Sequence, residues 1–314
     1  MSSLDPEHYR KVGEPIPSLT SGVSNHPGST IINADQISQL VQRRYGGFAR
    51  AAAVTSTSCC HVAQAPTCCG AQQGLYTAAE LAQVPALARD LSRGCGNPTG
   101  FANLVPGEIV VDLGCGGGID LVLAAHRLGP AGQVIGVDFT PEMIQRATEV
   151  LDEAGLAAPV VELRLAGIDA TGLPDGVADV VISNCVINLC ADKEAVYREV
   201  YRILKPGGRL AISDILLVGE LEPGLRSRFM ANWPGCLGGA MPEARYFATL
   251  VDAGFRNVRV FARHALHGAE LDEMASCPGK PFTLAPATED LAALGNVVES
   301  VKFIAVKPFS NSDS

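Results

Sequence analysis

The 314-residue sequence has no run of Lys and Arg, and its balance is acidic: 24 basic against 33 acidic residues, a formal net charge of -9. Phosphate backbones are held by clustered cations, so this balance argues against a nucleic-acid surface. No stretch reaches the roughly 18 consecutive apolar residues of a membrane-spanning helix. Met1 to Glu14 lacks the apolar segment of a secretory leader, and no internal repeat is visible. These absences lead us to expect a cytoplasmic protein without membrane or nucleic-acid partners, a monomer by default. What is present suits a globular core, with 47% hydrophobic and 18% charged residues. The ten cysteines then read as thiols, ligands or catalytic groups, because a reducing compartment does not favour a disulfide framework.

The first 35 residues are rich in Ser, Pro and Gly without periodicity and read as mobile. We place an N-terminal extension over 1–75, including the pairs Cys59-Cys60 and Cys68-Cys69. A short helix is expected within it from Asp35 to about Tyr45, stopped by Gly46-Gly47. Thr77 and Glu80 have capping-box spacing ahead of a helical run to Leu91.

From Glu108 strands and helices alternate. Strands are expected at Ile109–Leu113, Gln133–Val137, Val160–Leu165, Ala178–Ser183 and Leu210–Ile215. Helices are expected at Asp120–Leu128, Pro141–Ala154 and Lys193–Leu204. This order predicts an α/β fold with a parallel sheet covered by helices on both faces, over 76–218. Residues 219–314 form a smaller C-terminal region with helices at Pro223–Ala231 and Pro242–Ala253 and strands at Arg256–Arg263 and Val301–Val306. Whether these strands finish the same sheet stays open.

The first strand runs into Asp112-Leu113-Gly114-Cys115-Gly116-Gly117-Gly118. Glycines there permit positive φ and close approach of a ligand to the main chain. Asp138 closes the second strand 20 residues after Gly118, where a carboxylate can accept from both ribose hydroxyls. Asp112 precedes the first glycine and can meet a cationic amino group. Gly167-Ile168-Asp169-Ala170, after the third strand, is placed for an adenine contact. With Lys205-Pro206-Gly207-Gly208, this series resembles class I S-adenosylmethionine-dependent methyltransferases from about Glu108 to Asp214. The resemblance implies a Rossmann-like sheet and S-adenosylmethionine as cofactor, with Asp112, Gly114, Gly116, Gly118, Asp138, Ile168 and Asp169 around it. Cys115 and Asp179 read as structural.

A methyltransferase fold does not name its acceptor. Oxygen and carbon acceptors usually need a general base or a metal, and no His or Glu stands at an obvious position after the fourth strand. Asn184-Cys185-Val186-Ile187-Asn188-Leu189 stands there instead. Cys95 and Cys236 lie in other glycine-flanked loops, poorly explained by core packing. If the fold gathers Cys95, Cys185 and Cys236, they form a soft site for a thiophilic ion.

At these residues the chain resembles the arsenite S-adenosylmethionine methyltransferases. The matching pieces are Cys59-Cys60, Gly94-Cys95-Gly96-Asn97-Pro98, the class I series, Ser183 to Leu189 and Cys236-Leu237-Gly238-Gly239-Ala240. The resemblance implies that Cys95, Cys185 and Cys236 bind As(III) and that Cys60, or its neighbour Cys59, joins the redox chemistry. Tyr45 and Asn184 are implied near the cofactor. It also implies arsenite and methylarsenite as substrates, with glutathione or a thioredoxin as reductant. Arg93 departs from the pattern, since a small or apolar residue is expected before Gly94. Cys68-Cys69 has no counterpart, and a zinc site with Cys59, Cys60 and His61 has poor spacing. Cys190 and Cys277 read as packing or surface residues. A methyltransferase of a small oxygen or carbon acceptor, and a metalloid-binding thiol protein without turnover, are the alternatives.

Overall fold

A computed structural model describes residues 33–54, 74–222, 224–225, 235–267, 270–271, 293–295 and 297–309. Cys59, Cys60, Cys68, Cys69 and Cys277, and most of the helix expected at 223–231, lie outside the described residues. The described elements belong to the unit Asn33–Ser314.

Seven strands form one sheet in the order β3-β2-β1-β4-β5-β7-β6. They are β1 Ile109–Leu113, β2 Gln133–Asp138, β3 Val161–Leu165, β4 Ala178–Asn184, β5 Leu204–Leu217, β6 Arg256–Ala265 and β7 Val298–Val306. Strands β1 to β5 pair in parallel with one another. β7 runs antiparallel between β5 and β6, so the late strands finish the same sheet. β5 is longer than expected and takes Lys205 to Gly208 into the strand. There Lys205 meets the Asp179 carboxylate at 2.8 Å.

Alternation along the strands builds two cores. Val110, Val180 and Ile182 face one layer with Leu121, Val122 and Ala125 of α5 (Ile119–Leu128). Val111, Val181 and Ile212 face the other, with Val196 and Val200 of α7 (Lys193–Ile203) and Tyr246 and Leu250 of α8 (Glu243–Asp252). Side chains of a strand point alternately to its two faces, so every second residue must be apolar on each side of a covered sheet. A third cluster joins Cys185, Ile215, Leu217 and Val298, with Cys95 and Cys236 packed against it.

The remaining helices are α1 (Ala34–Val54), α2 (Ala78–Ala82), α3 (Ala86–Leu91), α4 (Pro98–Phe101) and α6 (Pro141–Glu153). The capping box forms: Glu80 N–H donates to Thr77 Oγ1 at 3.2 Å and Thr77 N–H to Glu80 Oε2 at 2.7 Å. The helical run to Leu91 is divided into α2 and α3, with Pro85 capping the second. α1 passes through Gly46-Gly47 where a stop was expected. A Cβ on Gly46 would lie 2.8 Å from Glu142 Oε2, so this glycine lets α1 pack closely against α6, and tertiary packing outweighs its low helix propensity. Among the described residues no helix is long and apolar enough to cross a membrane.

Candidate functional site

The strand order reverses at β1, whose neighbours are β2 and β4. Open α/β sheets bind ligands in the crevice at such a switch, beyond the carboxyl ends of the strands. Here that crevice is a cavity of about 250 Å³. Its floor is the glycine loop after β1. Gly114 has φ +72° and its Cβ would fall 2.4 Å from Val186, so no side chain fits there. Gly116, at φ +50°, has open space around its Cβ position, leaving main chain free for a ligand. Gly118 does not line the cavity; it caps α5 in the left-handed region and packs on Ala147.

Asp138 lines the cavity at the end of β2, and its two oxygens accept from Thr140 N–H at 2.9 Å and Gly116 N–H at 3.0 Å. Burial raises its pKa against the pull of those donors. Ile168 and Asp169 line the wall after β3, and Tyr45 of α1 lines the wall above. α1 is held over the opening by Gln42 Nε2 donating to Phe139 O at 3.0 Å and by an Arg50–Glu142 ion pair.

Asp112 is 2% exposed and stands behind the lining, its carboxyl pushed well up by burial and by the charges of Asp120 and Asp138. The acid that reaches the cavity on that side is Asp120, in the first turn of α5, which the sequence reading passed over. Burial lifts its pKa to about 6 against hydrogen bonds from Asn184 and Tyr76. The distances are 3.1 Å from Asn184 Nδ2 and 3.2 Å from Tyr76 OH. An acid in the first turn of the helix that follows a glycine loop is the signal that could have found it. Buried carboxylates of this density suit a cationic ligand group.

The cysteines lie beside this cavity. Cys185 follows β4 at φ +61°, a conformation costing a non-glycine residue about 1–3 kcal/mol and met most often at functional sites. Its N–H donates to Ser213 O at 2.8 Å. Cys95 is bonded to Cys185 as a disulfide, with Cα atoms 5.9 Å apart across 90 residues of sequence. The Cys236 thiol donates to Cys185 O at 3.0 Å. The fold therefore gathers the three expected thiols, but with two of them joined. Among the described residues no group of three His, Cys, Asp or Glu side chains is arranged as a ready metal site. Burial, and then the Asp214 charge, lifts the Cys236 thiol to about 12. Cys190 lines the cavity and burial likewise raises it to about 12.

Asn184 lines the cavity, yet its amide is engaged by protein. Its oxygen accepts from the N–H groups of Cys95 and Gly96, and its Nδ2 donates to Gly96 O at 2.8 Å as well as to Asp120. Ser300 Oγ of β7 donates to Cys95 O at 2.8 Å. The Cys95 loop is thus fixed from two strands.

Residues 104–261 match the methyltransferase domain family. The chain is 39% identical over 238 residues to the arsenite methyltransferase of Halobacterium salinarum, covering 72% of this chain and 59% of that protein. It is 32% identical over 223 residues to the arsenite methyltransferase of Mus musculus, covering 67% and 55%. The chain thus spans less than two thirds of the length of these relatives. Among solved structures, an arsenic(III) S-adenosylmethionine methyltransferase from Chlamydomonas reinhardtii superposes with a TM-score of 0.59 at 29% identity, covering 74% of this chain and 73% of that one.

Proposed function

The chain belongs to the methyltransferase domain family, and on that footing we propose that it transfers a methyl group from S-adenosylmethionine to trivalent arsenic held on cysteine sulfur. The observation that carries this reading is the meeting of Cys95, Cys185 and Cys236, from three distant segments, at the edge of a glycine-floored acidic cavity. The similarity to arsenite methyltransferases supports the same acceptor.

The residues present fit the cofactor. Open main chain at Gly116 leaves room for it, Asp138 is suited to the ribose hydroxyls, Ile168 and Asp169 to the adenine, and Asp120, backed by Asp112, to the ammonium. When bound, S-adenosylmethionine supplies an electrophilic methyl group on a sulfonium, which an arsenic lone pair can accept without a proton-transfer residue.

The chain's own part begins with opening the Cys95–Cys185 bond. A thiol reductant such as glutathione or a thioredoxin does this by exchange, its own thiols becoming the disulfide. Arsenite then exchanges hydroxyls for sulfur: each Cys S–H proton leaves with an arsenic hydroxyl as water, and an As–S bond replaces each S–H. The high pKa of the Cys236 thiol means that this proton is present at neutral pH and departs on capture. Thereafter the contribution of the chain is placement, with metalloid and methyl donor held at adjoining walls. Asn184 and Ser300 set the position of Cys95, and the backbone of Ser213 sets that of Cys185. Methylarsenite, with one hydroxyl fewer to exchange, needs only two thiols. Methyl transfer leaves arsenic formally pentavalent, and family resemblance assigns the two electrons that return it to the trivalent state to Cys95 with Cys60 (or Cys59), whose resulting disulfide the external thiol reduces.

The test is turnover of arsenite with S-adenosylmethionine and a thiol reductant, with arsenic species separated over time. Methylated arsenic that disappears in Cys185→Ser and Cys236→Ser supports the proposal. Cofactor binding without methylated arsenic sends the search to carbon and oxygen acceptors.

A further inference from the structure

We infer that Arg93 recognises the carboxylate at the amino-acid end of the cofactor, an assignment that rests on the S-adenosylmethionine reading above. The cavity wall carries Asp35, Asp120, Asp138, Asp169 and Asp192, and Arg93 is the single Lys, Arg or His among the described residues lining it. The amino-acid tail of the cofactor bears an ammonium and a carboxylate. The acids suit the ammonium and repel the carboxylate, so the carboxylate requires a cation that this wall supplies once.

The position of Arg93 fits that end of the ligand. Its segment packs on the glycine loop, since a Cβ at Gly117 would fall 2.6 Å from Leu91 Cβ. The next residue, Gly94, lies so close to Asn184 that a Cβ would stand 2.2 Å from its Nδ2, the same nitrogen that donates to Asp120. Arg93 therefore sits on the β4 side of the crevice with Asp120. Asp138 and Asp169 follow β2 and β3, one and two strands beyond β1.

The guanidinium is held but not satisfied. Its Nη1 donates to Ser92 O at 2.6 Å and Asp90 O at 3.0 Å, and its plane lies over the Phe48 ring of α1 at 3.9 Å. Its Nε is buried with no acceptor. The Nε has no surface open to the cavity, so the nitrogen left for a ligand carboxylate is Nη2, which has no hydrogen-bond partner among the described residues and would form a charge-assisted pair with it. The same stacking on Phe48 offers the competing role, in which Arg93 only pins α1 over the cavity.

The two roles separate by calorimetric titration of the full-length reduced protein with S-adenosylmethionine and with its decarboxylated analogue. Recognition by Arg93 predicts that the wild type binds the decarboxylated ligand roughly 10- to 100-fold more weakly, the range of a hydrogen bond to a charged group. It predicts that Arg93→Met binds both ligands equally, with the decarboxylated one bound as by the wild type, which also shows that the site is intact. Arg93→Lys, keeping the charge without the planar fork, is expected to restore part of the discrimination. Equal weakening of both ligands in Arg93→Met, or a wild type indifferent to the carboxylate, overturns the inference while leaving the cofactor reading standing. A wild type that binds neither ligand overturns both.

Discussion

The side-chain oxygen of Asn184 accepts the backbone N–H of Cys95 at 3.0 Å, across 89 residues of sequence. This bond ties the end of β4, where Cys185 follows, to the loop that carries the second sulfur of the cluster. We expect Asn184→Ala to release that loop, lowering arsenite affinity about tenfold or more. It would also lower stability by about 1–3 kcal/mol through buried donors left unpaired. Arsenite titration beside thermal denaturation measures both. Unchanged affinity in a folded variant would show that Cys95 holds its place without the clamp.

The three sulfurs are expected to differ in their substrates. Cys185→Ser and Cys236→Ser should lose methylation of arsenite and of methylarsenite alike. Cys95→Ser should lose the first and keep the second, because methylarsenite has fewer hydroxyls to exchange for sulfur. Separate assays on the two species check this, and equal loss of both in Cys95→Ser would remove its special place.

Asp120 gives a prediction in pH. Burial lifts its carboxyl to about 6 from the usual 3.8, so the folded state holds a proton that the unfolded chain releases between about pH 4 and 6. Stability contributed by this group therefore falls as pH rises through that window, and the penalty is complete above it. Asp120→Asn should raise stability by about 1–3 kcal/mol at pH 8 and change it little at pH 4, while weakening cofactor binding. Denaturant unfolding at the two pH values reads the first effect and calorimetry the second. A gain of equal size at both pH values would assign the effect to something other than the charge.

Two glycines should respond differently to the same substitution. Gly116→Ala puts its methyl into open cavity space, so the protein should stay folded, with about 1 kcal/mol of backbone strain, while cofactor affinity drops. Gly94→Ala drives its methyl into the Asn184 amide and should destabilise the loop and remove arsenite binding. Melting temperatures compared with cofactor and arsenite affinities would distinguish the two. A Gly94→Ala protein as stable and as thiophilic as the parent would refute the close packing.

Much of the sheet was legible because its signals are local. Val110-Val111, Val134-Ile135 and Val180-Val181 are apolar on both faces, as a covered parallel strand must be, and Thr77 with Glu80 marks a helix start by three-residue spacing. Boundaries failed where a distant partner intervened. Gly46-Gly47 reads as a stop, and α1 continues because Gly46 meets Glu142 on another helix. β5 runs on to Leu217 because β7 pairs with it from Arg209 to Leu217, and it starts early because Leu204 pairs with Ala178 of β4, pairings invisible in any one segment alone.

The sequence by itself determined the alternation of strands and helices, the glycine loop with its following acids, and the presence of cysteines in loops where packing does not require them. These follow from side-chain periodicity and from backbone conformations that only certain residues adopt, both set within a few residues. Only the tertiary structure decided that Cys95, Cys185 and Cys236 meet, that Asp120 and not Asp112 reaches the cavity, and that the amide of Asn184 serves the Cys95 loop. Such contacts depend on strand order and on which helix covers which edge. Those are fixed by the summed burial of the two cores, to which each of these residues contributes only a little.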